Sequence, residues 1–170
     1  MSYQEFFQEL KKDHEEVTNL LRQMKSRSSG DIHEMVVQLK RELMPHQEAE
    51  EETFYKSLTM IPSAHRLSLK AKEEHRVAVS VLNELEKTPS GDPWIAKVDV
   101  LDELVQEHIN EEESQAFAAA RSLDEKEIND ILQNFQRRKL QIKSEMTSGI
   151  KDEPDTRSSE LADEDLGTVV

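Results

Sequence analysis

The stretch LMPHQEAEEETF, residues 43–54, places a histidine and a carboxylate on the apolar face of one helix. His46 and Glu50 are four residues apart, so their side chains project from the same side of a helix. Both occupy positions where the apolar stripe would otherwise have core residues. A helix presents a pair of metal ligands in this way, and the stretch therefore predicts half of a metal site.

The same pattern occurs a second time in VQEHINEEESQAF, residues 105–117, where His108 and Glu112 have the same separation. Each of the two stretches follows a helix with one histidine in its apolar stripe, His14 in the first helix and His75 in the third. The chain therefore reads as a twofold repeat of helix pairs, with two histidines and one glutamate in each pair.

Composition favours an all-α fold. The 170 residues contain four Gly and five Pro, and they include no alternating run of strand length and no short hairpin signal. This length allows one domain of ordinary size with a real core, followed by a tail. We predict an up-down-up-down four-helix bundle with an additional C-terminal helix over residues 1–147, and a disordered acidic tail over residues 148–170.

Five helices are predicted from apolar residues that recur every three or four positions. The first four stripes each have a histidine at a core position, and Pro45 lies inside the second helix, which we predict to continue as one kinked helix. The fifth helix is expected to begin at a capping box formed by Ser122 and Glu125, and to lean on the bundle or on a partner. The stripes are Phe7, Leu10, Val17, Leu21 and Met24; Ile32, Met35 or Val36, Leu39, Leu43, Phe54 and Leu58; Ala71, Ala78, Leu82 and Leu85; Trp94, Val98, Leu101, Val105 and Ala116 or Ala119; and Ile128, Ile131, Leu132, Phe135, Leu140 and Ile142.

The charge and the absence of cysteine argue against several classes of function. A net charge of −14, from 36 acidic and 22 basic residues, disfavours binding to nucleic acid or to an anionic membrane. Without cysteine there are no disulfides, thiolate ligands or cysteine nucleophiles, so nitrogen and oxygen must hold any metal. No apolar run approaches the ~18 residues of a membrane helix and the N-terminal stretch has no signal-peptide pattern, so we expect a cytoplasmic protein.

The helix lengths indicate whether the polar core positions can meet. At a rise of ~1.5 Å per residue, His14 lies roughly 20 Å before the first turn and His46 roughly 22 Å after it. The arms from His75 and His108 to the turn between them are also roughly 20 and 22 Å long. In an antiparallel bundle all four histidines therefore lie in one layer, together with the two glutamates.

Six polar groups in one buried layer predict a metal centre, because a buried carboxylate costs several kcal/mol unless it is paired or binds a metal. Four imidazoles and two carboxylates without sulfur favour iron or manganese over structural zinc. In the simplest arrangement each ion has the two histidines of one helix pair and both glutamates bridge. Open positions then remain for oxo, hydroxo, dioxygen, nitric oxide or peroxide ligands. The predicted metal ligands are His14, His46, Glu50, His75, His108 and Glu112.

Competing metal motifs do not fit the spacing. No histidine follows a glutamate by three positions, so the Glu-x-x-His pattern of ferritin-like carboxylate proteins is missing. His33 is followed by Glu34, but Val37 stands where a zinc protease helix would have its second histidine. His33 and His65 lie off the apolar stripes, and we predict that both face solvent.

The ligand pattern resembles that of the hemerythrin-like HHE cation-binding domain. The order His, His-x-x-x-Glu, His, His-x-x-x-Glu has the local forms DHEEV (13–17), HQEAEE (46–51), EEH (73–75) and HINEEE (108–113), and the resemblance covers roughly residues 3–146. It implies a four-helix bundle that holds a non-haem di-iron centre, with two iron ions and with or without an oxo or hydroxo bridge. The ligands that it implies are the same six residues.

Within that family the sequence departs from the oxygen carriers. Their third helix has a second histidine four residues after its ligand, and here that position is Val79. The set of four histidines and two glutamates is instead similar to the hemerythrin domain of bacterial proteins that repair iron centres, although their additional N-terminal segment with cysteine is missing. Related domains sense iron or oxygen, or decompose peroxide.

The sequence therefore predicts a di-iron protein that binds or reacts with dioxygen, nitric oxide or peroxide. Its role would be sensing, stress response or iron-centre repair, or iron handling. The alternatives are a helical interaction module with a structural metal, whose fifth helix or tail binds a protein partner, and a mononuclear metal-binding protein. Open metal positions serve binding and catalysis alike, so the ligand set leaves enzymatic activity undecided.

Overall fold

The structure is built from helices. The computed structural model describes residues 3–26 and 32–148, and no strand occurs in these two ranges, which confirms the all-α prediction. The elements are α1 (Tyr3–Ser26), α2 (Ile32–Glu52), α3 (Phe54–Leu58), α4 (His65–Leu85), α5 (Asp92–Glu111), a π-helical turn (Glu112–Ala116), α6 (Phe117–Ala120) and α7 (Glu125–Thr147).

Two hydrophobic clusters, one towards each end of the bundle, give the direction of the four long helices. α1 contributes Leu10 to the first cluster and Val17 to the second, so it runs from the first cluster to the second. α4 runs the same way, from Ala71 to Ala78. α2 and α5 begin in the second cluster and lead back to the first. The helices therefore run up, down, up and down, and the predicted four-helix bundle is confirmed.

The predicted apolar stripes of the first four helices form these clusters. Every residue of those stripes is buried except Ile32 and Ala119, which are partly exposed. Removal of this apolar surface from water is the main favourable contribution to folding. Because the histidines interrupt the stripes, the two clusters are separated by a polar layer, and the fold by itself places that layer deep inside the bundle.

The second helix ends earlier than predicted. It continues through Pro45 as one helix, as expected, but α2 stops at Glu52 and a separate short helix, α3, follows. Thr53 interrupts it with φ −122° and ψ −73°. Its hydroxyl donates a 2.6 Å hydrogen bond to the carbonyl oxygen of Ala49, and such bonds compete with the regular helix pattern. The prediction of one helix through Leu58 is therefore wrong.

The fourth predicted helix contains a π-helical turn at Glu112–Ala116, which its apolar stripe did not predict. At the middle of the turn, the hydroxyl of Ser114 donates a 2.6 Å hydrogen bond to the carbonyl oxygen of Asn110. A π turn contains one residue more than an α-helical turn. The buried face therefore moves along the chain, and Ala120 is buried whereas Ala119 is partly exposed.

α7 begins at a capping box, but Asp124 and Glu127 form it. The Asp124 carboxylate accepts a hydrogen bond from the backbone N–H of Glu127 (2.8 Å), and the Glu127 carboxylate accepts one from the N–H of Asp124 (2.7 Å). The prediction of Ser122 and Glu125 is wrong because Ser122 still belongs to the turn after α6. There its hydroxyl donates to the carbonyl oxygen of Ala119.

The fifth long helix, α7, packs along α2 on the outside of the bundle. Five of its six predicted apolar residues are buried, and only Leu140 is exposed, at 68% of its surface. Polar contacts flank this apolar face, and Arg138 forms ion pairs with Glu48 and Glu52 of α2. The expectation that this helix leans on the bundle is therefore confirmed.

The capping box gives a prediction for the stability of α7. Asp124→Ala should lower the free energy of unfolding by ~0.5–2 kcal/mol, because the first turn loses a hydrogen-bond acceptor for its backbone N–H groups. Urea unfolding followed by circular dichroism measures the change. Asp130→Ala, which removes an exposed aspartate inside the same helix, is the control and should have little effect. Equal losses in the two variants would contradict the role of the cap.

None of the helices in the two described ranges combines the length and the hydrophobicity that are needed to cross a bilayer. The cytoplasmic location and the domain boundary at residue 147 stay predictions. The tail predicted to be disordered, residues 148–170, lies outside the described residues except for Ser148.

Candidate metal centre

All six predicted ligands lie in the layer between the two hydrophobic clusters, and each is buried. They form two groups, and within each group one side-chain nitrogen or oxygen atom of every residue lies within 4.8 Å of the others. Glu50 belongs to both groups. His33 and His65 are exposed, as predicted. The first group is His14, His46, Glu50 and Glu112, and the second is Glu50, His75 and His108.

Glu50 of α2 lies between the two halves of the repeat. Its Oε1 is 3.2 Å from Nε2 of His46, and its Oε2 is 3.6 Å from Nε2 of His75. His46 precedes Glu50 by one helical turn in α2, whereas His75 comes from α4. One carboxylate therefore faces a histidine of each helix pair, which is the placement that a bridging ligand needs.

Glu112 has the corresponding position in the second half of the repeat. Its Oε2 is 3.4 Å from Nε2 of His14 and 3.5 Å from Nε2 of His108. Nε2 of His108 is in turn 3.0 Å from Nε2 of His75. Glu112 is the first residue of the π turn, and such turns are frequent at functional sites. The four Nε2 atoms and the two carboxylates therefore converge on one small volume.

Each of the four histidines turns its Nε2 towards this centre and its Nδ1 towards a carboxylate outside it. A histidine that binds a metal usually has such an outer partner, which fixes the orientation and the tautomer of the ring. The arrangement is therefore the one expected of four metal ligands. The pairs are His14 with Glu113 (3.0 Å), His46 with Asp13 (3.0 Å), His75 with Glu51 (3.0 Å) and His108 with Glu74 (2.9 Å).

These four outer carboxylates form a closed ring around the bundle. Each is next in sequence to a predicted ligand, but its hydrogen bond goes to a histidine on the adjacent helix. Asp13 of α1 contacts α2, Glu51 of α2 contacts α4, Glu74 of α4 contacts α5, and Glu113 of the π turn contacts α1. The sequence pattern did not identify them. They could have been found from the acidic residue that stands beside a predicted ligand in each of the four motifs.

Five buried atoms at the centre have no hydrogen-bond partner among the described residues. They are Nε2 of His14, both carboxylate oxygens of Glu50 and both of Glu112. An unsatisfied buried polar group costs about 1–3 kcal/mol, and more when it is charged. A buried polar layer that serves only to form hydrogen bonds within the protein would not leave five such atoms unsatisfied in one place. A cation between these atoms would satisfy them, so the residues fit a metal centre.

Burial determines the charge of two of the histidines. It lowers the pKa of His46 to about 4, and it also lowers the pKa of His75. Hydrogen bonds to Asp13 and Glu51 oppose this effect without reversing it. Both rings are therefore neutral near pH 7. With the proton held on Nδ1 by the outer carboxylate, Nε2 of each ring can act as a metal ligand.

Glu112 shifts the other two histidines in the opposite direction. Burial disfavours their charge, but Glu112 and the outer carboxylates raise the pKa of His108 to about 9 and also raise that of His14. Burial raises the pKa of Glu50 well above its usual range, whereas His108 and His14 hold that of Glu112 well below, despite its burial. Metal ligands must be deprotonated, so an arriving cation would displace these protons.

A small cavity adjoins three of the predicted ligands, His14, His46 and His108. Its volume is about 20 Å³, which is room for one water or one diatomic molecule. Gln47 lines the cavity and is itself buried, and its Oε1 has no hydrogen-bond partner among the described residues. A small ligand could therefore lie beside these three histidines. Much of the remaining wall is apolar, formed by Val17, Leu43, Ala78, Leu104, Val105 and Ile109.

Tyr55 is a further buried group beside the centre, and nothing in the sequence pattern singles it out from its aromatic neighbours. Its ring centroid is 5.8 Å from that of His75 and 6.3 Å from that of His108. Burial and the nearby carboxylates Glu112 and Glu50 raise its pKa well above the usual value. Tyr55 therefore keeps its proton at physiological pH and adds a neutral phenol to the wall of the centre.

A model of the hemerythrin HHE cation-binding domain matches residues 5–120. This range contains the six predicted ligands and the four outer carboxylates, and it ends before α7. Searches of curated proteins and of solved structures gave no significant match. The matched range covers more than half of the 170 residues. The chain therefore belongs to the hemerythrin HHE cation-binding domain family.

Proposed function

We propose that the protein is a non-haem di-iron protein. The observation that carries the proposal is the placement of two buried carboxylates between two histidine pairs. Their oxygens have no hydrogen-bond partner among the described residues, although they lie 3.2–3.6 Å from histidine nitrogens. One ion would have the pair from α1 and α2, and the other the pair from α4 and α5, with both carboxylates shared. The proposed ligands are His14, His46, Glu50, His75, His108 and Glu112.

The donor atoms support iron. The sequence has no cysteine, so all donors are imidazole nitrogens and carboxylate oxygens, which suit iron and manganese. A mononuclear site would need only one of the two histidine pairs. The second histidine pair would then remain buried beside Glu50 without a metal ion to bind. The shared position of Glu50 in both groups therefore favours two ions over one.

The cavity beside His14, His46 and His108 supports the binding of a small ligand. Bound iron would supply one-electron redox chemistry and open positions for dioxygen, nitric oxide or peroxide. The protein itself would restrict the size of the ligand, exclude bulk water with apolar walls and offer the amide of Gln47 as a hydrogen-bond partner. We place the function in sensing, stress response or iron-centre repair, or iron handling, and Val79 at the carrier position disfavours reversible oxygen transport.

The alternative of an interaction module has weaker support. Its binding surface would be α7 or the tail, but α7 turns its apolar residues towards the bundle. Leu140 is the apolar residue that this helix leaves exposed, and one side chain does not form a docking surface. A protein partner on α7 therefore stays a prediction, secondary to the metal centre.

Metal analysis tests the proposal directly. Protein purified from iron-replete cells should contain about two iron ions per chain, as expected for a di-iron bundle. Azide should change the absorption spectrum of the oxidised protein, because it can occupy an open position on the iron. Protein from iron-depleted cells provides the baseline for both measurements. A colourless, metal-free bundle of full stability from the iron-replete cells would show that the proposal is wrong.

A further inference from the structure

α7 brings a lysine to the outer ring of the metal centre. Nζ of Lys139 is 2.5 Å from Oδ1 and 2.6 Å from Oδ2 of Asp13. The same Oδ2 is 3.0 Å from Nδ1 of His46. Asp13 is buried, and the Lys139 side chain is only 14% exposed. A short chain of charge-assisted hydrogen bonds therefore runs from α7, through Asp13, to a predicted metal ligand.

The same helix also covers His46. The ring of Phe135 packs edge-to-face on the imidazole, with centroids 5.9 Å apart and an interplanar angle of 88°. Nζ of Lys139 lies 5.7 Å from the centroid of that phenyl ring. α7 lies outside the range that matches the family model. These contacts therefore come from a part of the chain that the matched family model does not cover.

Two of the other outer carboxylates also pair with a lysine, but these lysines are more exposed than Lys139. Glu74 pairs with Lys70 (2.9 Å) and Glu113 pairs with Lys11 (2.8 Å). Those lysine side chains are 45% and 50% exposed, so water and salt screen their charge. Lys139 is more buried and contacts both oxygens of its carboxylate. Of the three lysines, it should therefore have the largest electrostatic effect on the centre.

We propose that Lys139 is a positioning residue that holds Asp13 against His46 and raises the reduction potential of the ion that His46 binds; this inference rests on the di-iron function proposed above. The lysine neutralises Asp13, so Asp13 draws less strongly on the Nδ1 proton and His46 donates less charge to the metal. A nearby positive charge also favours the reduced ion. Both effects raise the reduction potential.

The reduction potential of the iron-loaded protein tests this proposal. Lys139→Met should lower the midpoint potential, so that the equilibrium constant for reduction falls several-fold. Lys139→Arg should keep a potential close to that of the wild type, because arginine preserves the positive charge. Lys143→Met is the matched control, because it removes an ion pair between α7 and Glu42 of α2 without touching the ring. Equal potentials in the Lys139→Met and Lys143→Met variants would overturn the proposal.

A second measurement needs no metal. With histidine-selective isotope labelling, NMR of the metal-free protein detects the Nδ1–H proton of each buried histidine. Lys139→Met should shift the Nδ1–H resonance of His46 and leave that of His108 unchanged. Lys70→Met should shift the resonance of His108 and leave that of His46 unchanged. An unchanged His46 resonance would overturn the proposal. If the protein binds no iron, the di-iron function fails, and this comparison still decides whether Lys139 acts on His46.

Discussion

A Glu50→Leu variant should be more stable than the wild type as a metal-free protein, and it should lose the stabilisation that metal gives to the wild type. The substitution removes two buried oxygens that have no hydrogen-bond partner, and such a group costs about 1–3 kcal/mol. Leucine fills a similar volume with apolar atoms. Since the substitution also removes the ligand shared by both groups, iron should no longer stabilise the protein. Anaerobic urea unfolding with and without ferrous iron measures both effects.

The control for this experiment is Glu15→Leu, which makes the same chemical change at an exposed position of α1. It should leave the response to iron unaltered. For the wild type, a free metal concentration of 100 times the dissociation constant adds about 2.7 kcal/mol to the free energy of unfolding. If Glu50→Leu instead destabilises the metal-free protein, Glu50 is part of a satisfied hydrogen-bond network and the case for a metal centre is weakened.

His75→Ala should reduce the iron content of the protein far more than it reduces helix content. His75 belongs to the smaller of the two groups, which has only three candidate ligands. Without His75 this group would keep only His108 and Glu50, so we expect about one iron ion or fewer per chain instead of about two. Metal analysis and far-ultraviolet circular dichroism of the same preparation give the two quantities.

His65→Ala is the matched control, since it removes an exposed histidine at the start of the same helix. Its iron content should equal that of the wild type. Because a buried histidine contributes to packing as well as to the site, the comparison is made on samples with equal helix content. Full iron loading of the His75→Ala protein would remove His75 from the proposed ligand set.

Much of the fold and the candidate site follows from one periodicity. A spacing of three and four residues places Leu10, His14 and Val17 on one face of α1, and the same spacing governs the other long helices. Equal arm lengths on either side of each turn then bring the histidines to one level. Because both steps depend only on helix geometry, the bundle and the meeting of the six residues could be predicted.

The ends and interruptions of the helices depend on local hydrogen bonds and on the path of the chain, and the apolar periodicity does not show these. Thr53 interrupts the helix between α2 and α3 with a non-helical backbone conformation, and nothing in the apolar stripe signals this. At the start of α7, both Ser122 and Asp124 precede a glutamate by three residues, and only the path of the chain after α6 selects Asp124. Glu112 and Glu113 of the π turn contact the two ring nitrogens of one histidine, His14 of α1, and this contact cannot be predicted without knowing which helix packs beside the turn.

The outer carboxylates were not predictable from spacing for a related reason. Asp13 and His14 are adjacent in sequence, so they point about 100° apart on the helix, as a helix has 3.6 residues per turn. The helix that packs against this side of the bundle then determines which histidine the carboxylate contacts. A sequence motif describes one helix at a time, whereas each of these contacts joins two.

The closed ring of outer carboxylates makes the centre sensitive to the integrity of the whole bundle. Every long helix of the ring both receives a hydrogen bond from one neighbour and supplies one to the other, so displacing a single helix breaks two links. A chain in which one helix is displaced would therefore leave two of the four histidines without the carboxylate that orients the ring.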